Sequence, residues 1–204
     1  MSVPGEPVSG AAESLVLGGP LSRARVRRPR SDRSLIAGAA AGVESDLEQL
    51  FRRHWPRAYR AAFLIVQDHA AAEDVTQEAF VAAVRTLDRF DRRRPFAPWL
   101  GAIVSNRAID CARARRSRRE VADPPEREHV SASSPRIGRC SEELLVALAE
   151  LSPEQRTVVV MRYLLEFTPG EIARALELPR GTVNSRLRRG LDTLESRLRE
   201  TGLR

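Results

Sequence analysis

The residues best equipped for chemistry in this chain are its arginines. The 34 basic residues are all arginine, set against 27 acids for a net charge of +7. Arg113, Arg115, Arg116, Arg118 and Arg119 crowd one short stretch, and Arg186, Arg188 and Arg189 share a predicted helix. Genomic codon bias accounts for arginine in place of lysine, but not for this clustering. A guanidinium is permanently charged and presents a rigid fork of donors to phosphate oxygens, so the clusters point to a polyanion partner. A second constellation has the opposite sign. Asp74, Gln77 and Glu78, with Val81 and Arg85, fall opposite the apolar stripe of their predicted helix. An acidic, amide-bearing face on a basic chain suits a basic protein partner, because complementary charge sets register and encounter rate. A third set, Asn106, Asp110 and Arg113, recurs at helical spacing and turns polar groups outward from one face.

The chemistry that is missing narrows the reading further. No residues resemble a catalytic triad, a phosphate-binding glycine loop or a paired-carboxylate site, so no enzyme, cofactor or small-molecule substrate is expected. Cys111 and Cys140 are the only cysteines and form no CxxC, and no histidine stands at ligand spacing, which leaves no metal site. His54 and His69 are expected at helix ends and His129 in a linker, as surface or capping residues. No apolar run approaches the ~20 residues that span a bilayer, and the N-terminus lacks a secretory pattern. A reduced, cytoplasmic protein without membrane insertion is the expectation.

These faces require helices to carry them. With only 5% aromatic residues and many Ala, Leu, Arg and Glu, the chain reads as all-α, in two small domains. Residues 1–44, rich in Gly, Pro, Ser and Arg, read as a disordered basic tail. Residues 45–117 read as a helical bundle. Leu47, Leu50 and Phe51 open an apolar stripe, and Tyr59, Ala62, Phe63 and Val66 resume it after Pro56, as two short helices or one kinked one. Asp68 caps a helix to about Leu87 that buries Val75, Ala79, Phe80, Ala83 and Val84, and a further helix runs from about Trp99 to Arg116. Residues 118–140, with Pro124, Pro125 and Pro135, read as a flexible linker, and 141–204 as a second helical block. There, Ser152-Pro153-Glu154-Gln155 and Thr168-Pro169-Gly170-Glu171 each supply a cap, a proline at the first helical position and a reciprocal partner. A short helix to Leu176, a tight connection and a helix opened by Pro179 make a helix-turn-helix. Its exposed face carries Arg180, Asn184 and Arg188, with Ser185 and Arg189 beside them, and is sized for a major groove.

The segment LSPEQRTVVVMRYLLEFTPGEIARALELPRGTVNSRLRRGLDTLESRL resembles region 4 of a bacterial sigma factor of the extracytoplasmic-function (ECF) group. The first block agrees independently. DHAAAEDVTQEAF is similar to region 2.2, and LDRFDRRRPFAPWLGAIVSNRAID to regions 2.3 and 2.4. The resemblance implies that Asp74, Gln77 and Glu78 meet the clamp helices of the largest subunit of core RNA polymerase, with region 4 on the flap of the second-largest. It implies that Phe90 and Asn106, with Ile103 lining the pocket, hold a flipped base of the minus-10 element, alongside Asp110 and Arg113. Phe96 and Trp99 match an F-x-x-W pattern read mainly as core. By the same resemblance Arg180, Thr182, Asn184, Ser185, Arg188 and Arg189 read the minus-35 element of promoter DNA. Asn184 and Arg188 are the specificity candidates there, since asparagine pairs with adenine and arginine with guanine. An anti-sigma protein is the implied regulator.

Three positions depart from the family pattern. Asn184 stands where Lys or Arg is frequent, Glu177 where the turn favours glycine, and Gly170 where a helix former is usual. Two other readings compete. A stand-alone helix-turn-helix regulator needs neither the acidic face nor the Phe90 loop. A basic RNA- or nucleoid-binding protein needs the arginines but not the two-block order.

Overall fold

The computed structural model describes residues 30–121 and 142–200, and every regular element among them is helical. The N-terminal lobe comprises α1 (Asp32–Ala40), α2 (Glu44–Val66), α3 (His69–Arg85), a 3-10 turn (Leu87–Arg89) and α4 (Phe96–Val121). The C-terminal lobe comprises α5 (Glu142–Glu150), α6 (Pro153–Tyr163), α7 (Pro169–Ala175) and α8 (Arg180–Glu200).

Helix α2 is the axis of the first lobe. From Ala58 to Val66 it is buried at nearly every position, because α1, α3, α4 and α6 close on different sides of it. A helix apolar on all sides is stable only when enclosed in this way. Pro56 lies inside α2 without ending it, so the stretch is one helix rather than two short ones. Asp68 caps α3 as expected, accepting from the Ala71 N–H at 2.8 Å, and its carboxylate also takes the Arg115 guanidinium at 2.6 Å.

The tail expected to be disordered over 1–44 is folded in its last part. Ser31 caps α1, and Leu35 and Ile36 are almost completely buried against α2. Residues 1–29 lie outside the described part of the chain. A nine-residue helix shows too few apolar repeats for a periodic signal, and its stability comes from docking, roughly 1.5–3 kcal/mol for each large apolar side chain buried. The joint is close. Asp46, 1% exposed, is ion-paired to Arg30 directly beneath Gly38, where a Cβ would collide with its carboxylate.

Other boundaries shift modestly. Helix α4 begins at Phe96 rather than Trp99 and extends to Val121, past Arg116 and into the expected linker. The rest of that linker, 122–141, lies outside the described residues. Val84, expected in the buried stripe of α3, is 43% exposed, as Ala83 takes the inward position.

The second lobe folds as its caps dictate. Both capping boxes close, Ser152 with Gln155 and Thr168 with Glu171. The Thr168 backbone and side-chain hydrogen bonds hold the Glu171 carboxyl below its ordinary range. Ile172, Val183, Leu187 and Leu194 fill the space between α7, α8 and their neighbours. Gly190 lets α8 cross α6, its position for a Cβ being only 3.1 Å from Val159.

The lobes also pack on each other, with α6 against both α2 and α4. Leu165 and Phe167, from the α6–α7 connection, are buried beside Gly101 of α4, within 3.3 and 3.4 Å of where its Cβ would be.

Candidate nucleic-acid interface

The α8 face is laid out along the first turns of a well-capped helix-turn-helix. Arg180, Asn184, Arg188 and Arg189 are exposed, and Thr182 and Ser185 are half-buried at its edge. Ser185 donates to the Thr182 carbonyl at 3.0 Å, and Arg189 reaches back to the Ser185 carbonyl at 3.3 Å. Arg186, counted by sequence among the clustered phosphate-binding candidates, turns inward, and its Nη1 is buried without a hydrogen-bond partner among the described residues. Glu177 closes the turn with φ 52°, the left-handed conformation that glycine adopts more readily.

The α4 face brings Asn106, Asp110 and Arg113 onto one exposed strip, with Ile103 half-buried beneath. Two of these residues are already engaged by the other lobe. Asn106 Nδ2 donates to the Ala175 carbonyl at 2.9 Å, and Arg113 Nε donates to Glu154 at 2.8 Å. Arg113 also lies 3.8 Å from Asp110. Burial pushes the Glu154 carboxyl up, but the Arg113 hydrogen bond, its own backbone N–H and the Arg113 charge outweigh this, and it titrates below its ordinary range. Nearby, Arg57 of α2 donates to the Leu164 carbonyl at 2.7 Å and lies 3.4 Å from Glu166.

Phe90 does not stand open as a ready stacking platform. Only 8% exposed, it packs against Trp99 at 4.6 Å and edge-on to Phe96 at 5.9 Å. His54 joins this cluster, its ring 5.0 Å from Phe96 and its Nε2 2.9 Å from Asp32. It is therefore an interior residue of α2, not a surface residue at a helix end. Burial holds its pKa below the ordinary value, against the attraction of Asp32. His69 does open α3, but its ring stacks on Phe63 and its Nδ1 meets the Tyr59 hydroxyl at 2.8 Å.

The acidic face is a shallow groove of about 540 Å³, lined by Asp74, Gln77, Glu78, Val81, Arg85 and Arg107. Asp74, Gln77 and Glu78 are all exposed, although Glu78 also takes Arg107 at 2.8 Å. Among the described residues no group of three or more potential metal ligands converges, and no helix is long and apolar enough to cross a membrane.

Sequence reasoning missed the partners of the α4 face, Glu154 and Ala175, and the contact of Arg57 with the α6–α7 connection. Ion pairs between residues so far apart in the chain leave no periodic trace. Gly101 was the available signal, because an isolated glycine inside a helical pattern often marks close approach of another backbone or side chain.

Two family models match in order, Sigma-70 region 2 over residues 50–120 and Sigma-70 region 4 over residues 141–194. Their succession in one chain disfavours the stand-alone regulator. The ECF RNA polymerase sigma factor SigL of Mycobacterium tuberculosis is 32% identical over 172 residues, covering 82% of this chain and 97% of that protein. The RNA polymerase sigma factor CarQ of Myxococcus xanthus is 31% identical, covering 79% and 94%. Among solved structures, CnrH in complex with the cytosolic domain of CnrY aligns with a TM-score of 0.59 at 30% identity, over 83% of this chain and 97% of that one. The sigma factor RpoE bound to the anti-sigma factor NepR, from Bartonella quintana, shares the fold with a TM-score of 0.63 at 24% identity, over 76% and 97%. This chain belongs to the ECF group of RNA polymerase sigma factors.

Proposed function

We propose that this sigma factor docks on core RNA polymerase through the Asp74–Gln77–Glu78 groove and addresses two promoter elements with separate lobes. The observation that carries the reading is the separation of surfaces by charge within one chain. The exposed carboxylates Asp74 and Glu78 lie on α3, in a groove whose edge Arg85 and Arg107 also line, while guanidinium and amide groups line α4 and the start of α8. Asn184 and Arg188 read base edges of the minus-35 element in the major groove, and Arg180 and Arg189 bind phosphate. Asn106, Asp110 and Arg113 contact the minus-10 element, with Phe90 and Ile103 forming the pocket for an unpaired base once the Phe90 ring turns out of its cluster.

The polymerase supplies catalysis and this chain supplies address and strand opening, without enzymatic activity or a cofactor of its own. Residues 45–117 and 141–204 form the two functional units, tethered so that binding by one raises the effective concentration of the other. Region 4 also meets the flap of the second-largest subunit. A solved protein of this fold is a sigma factor in complex with an anti-sigma factor, which supports an anti-sigma protein as the regulator of this chain in the cytoplasm.

Run-off transcription with purified bacterial core polymerase and a promoter library from the source genome tests the reading. Discrete initiation that disappears with Asp74→Arg plus Glu78→Arg, while duplex DNA binding through α8 persists, is the expected result. Failure of the pure protein to bind core polymerase or to direct initiation overturns it.

A further inference from the structure

We infer that Asp32 and His54 are positioning residues for the base pocket: acting through Phe96, they hold its wall in place when Phe90 turns out. The inference rests on the proposed role of Phe90 in capturing an unpaired base.

Phe96 is the hub of the aromatic cluster. It meets Phe90 at 5.9 Å, Trp99 at 5.5 Å and the His54 ring at 5.0 Å. Phe90 and Phe96 bracket a short turn that closes on itself. There the Arg94 N–H donates to the Asp91 carbonyl at 2.9 Å, and the Arg93 N–H to the Asp91 carboxylate at 3.0 Å. When Phe90 leaves to make room for a base, only Trp99 and His54 of these three rings still support Phe96. Empty space in a packed interior is unfavourable, and side chains around it relax inward where they are free to do so. An unsupported Phe96 would swing into the pocket before a base arrived.

His54 can resist that movement because it is tied. Its Nε2 lies 2.9 Å from Asp32 Oδ2. A carboxylate only accepts, so the ring nitrogen donates, and the bond fixes the plane of the imidazole against Phe96. Asp32 is pinned in turn. Arg53 donates to its other oxygen at 2.5 Å, and the same guanidinium donates to the Arg30 carbonyl at 2.8 Å. Helix α1, which carries Asp32, is anchored by the buried Leu35 and Ile36 and packs against the 3-10 turn. The Leu87 carbonyl of that turn accepts from the Phe90 N–H at 3.3 Å. One short helix therefore steadies both the backbone before Phe90 and the ring beneath it. Burying an imidazole beside a carboxylate forfeits solvation that an apolar side chain would not. What the polar pair adds is a fixed orientation, which a satisfied hydrogen-bond network supplies and apolar packing does not.

Holoenzyme assembled from purified bacterial core polymerase and full-length variants tests the inference. It is titrated with fork-junction DNA whose single strand carries the minus-10 element of a promoter mapped by run-off transcription. Each base of that strand is replaced in turn by an abasic residue. Parent holoenzyme is expected to lose about tenfold in affinity at the position of the captured base, and Phe90→Ala to abolish that difference. Asp32→Ala and His54→Phe are expected to abolish most of it as well, by weakening binding of the intact strand alone. Asp32→Asn, whose amide oxygen still accepts from Nε2, keeps the parent's response. Adding Asp32→Ala to His54→Phe brings no further loss, as for two residues acting in series. Asp32→Ala leaves the aromatic cluster itself unchanged, and carries the test if His54→Phe loses its helical circular dichroism.

A merely structural role moves intact and abasic strands alike. Equal weakening on every strand, full discrimination by Asp32→Ala, or a loss in Asp32→Asn as large as in Asp32→Ala overturns the inference. In each case, discrimination that still depends on Phe90 leaves the proposed function standing. Discrimination kept by Phe90→Ala overturns the pocket assignment, and the positioning role with it.

Discussion

Glu177 and Gly170 are mismatched to their positions in opposite ways. Glu177 sits at φ 52°, where an L-residue is strained by about 1–2 kcal/mol, while Gly170 lies in the first turn of α7 with open space where a Cβ would be. Glu177→Gly and Gly170→Ala are each expected to raise stability by up to ~1 kcal/mol, read as a shift in the urea midpoint at constant slope. His54 supplies a pH dependence. Its folded pKa is lowered by burial, so as pH falls through the ordinary value of about 6.5 the unfolded chain takes up a proton first. Stability is full above that value and declines below it. The melting temperature should drop between about pH 7.5 and 5.5, and His54→Gln should flatten that part of the curve.

Between elements, the tightest crossings pass over glycine. Val159 of α6 stands 3.1 Å from where a Gly190 Cβ would sit, so Gly190→Val must push α8 away from α6. A loss of roughly 1–3 kcal/mol is expected on thermal unfolding, with weaker minus-35 binding because α8 is displaced. Gly190→Ala should cost less, since Val159 needs to yield only slightly. The recognition face is separable from this packing: Asn184→Ala should leave stability unchanged and cost about 1–3 kcal/mol of discrimination at one base pair. Competition binding against single-substituted minus-35 duplexes measures it. Uniform weakening across all duplexes would reassign Asn184 to phosphate contact.

Across the molecule, the buried core runs without a break from α2 through α4 into α6. A continuous core predicts one cooperative unfolding transition for two sequence-distant lobes. Leu165→Ala, which removes apolar contact at the seam, should cost roughly 2–5 kcal/mol of coupling and split the calorimetric trace into two transitions. A single unshifted transition would show that the lobes melt independently of this contact.

The chain order, the capping boxes, the acidic face of α3 and the guanidinium–amide face of α8 were all legible in the sequence. They are local, set by residues within a few turns of one another, and helical periodicity and cap chemistry act over that distance. The α1 helix was not legible, because Leu35 and Ile36 form a stripe too short to repeat and are stabilised only by docking on α2. The interior placement of His54 and the inward turn of Arg186 were likewise hidden. Each depends on which helix lies opposite, and residue type alone does not say that. The α4 strip shows the division most plainly. Periodicity put Asn106, Asp110 and Arg113 on one outward face, but only the tertiary structure brought Ala175 and Glu154 against two of them. Contacts between residues separated by a linker are selected by shape and charge once both lobes exist, and no local pattern encodes them.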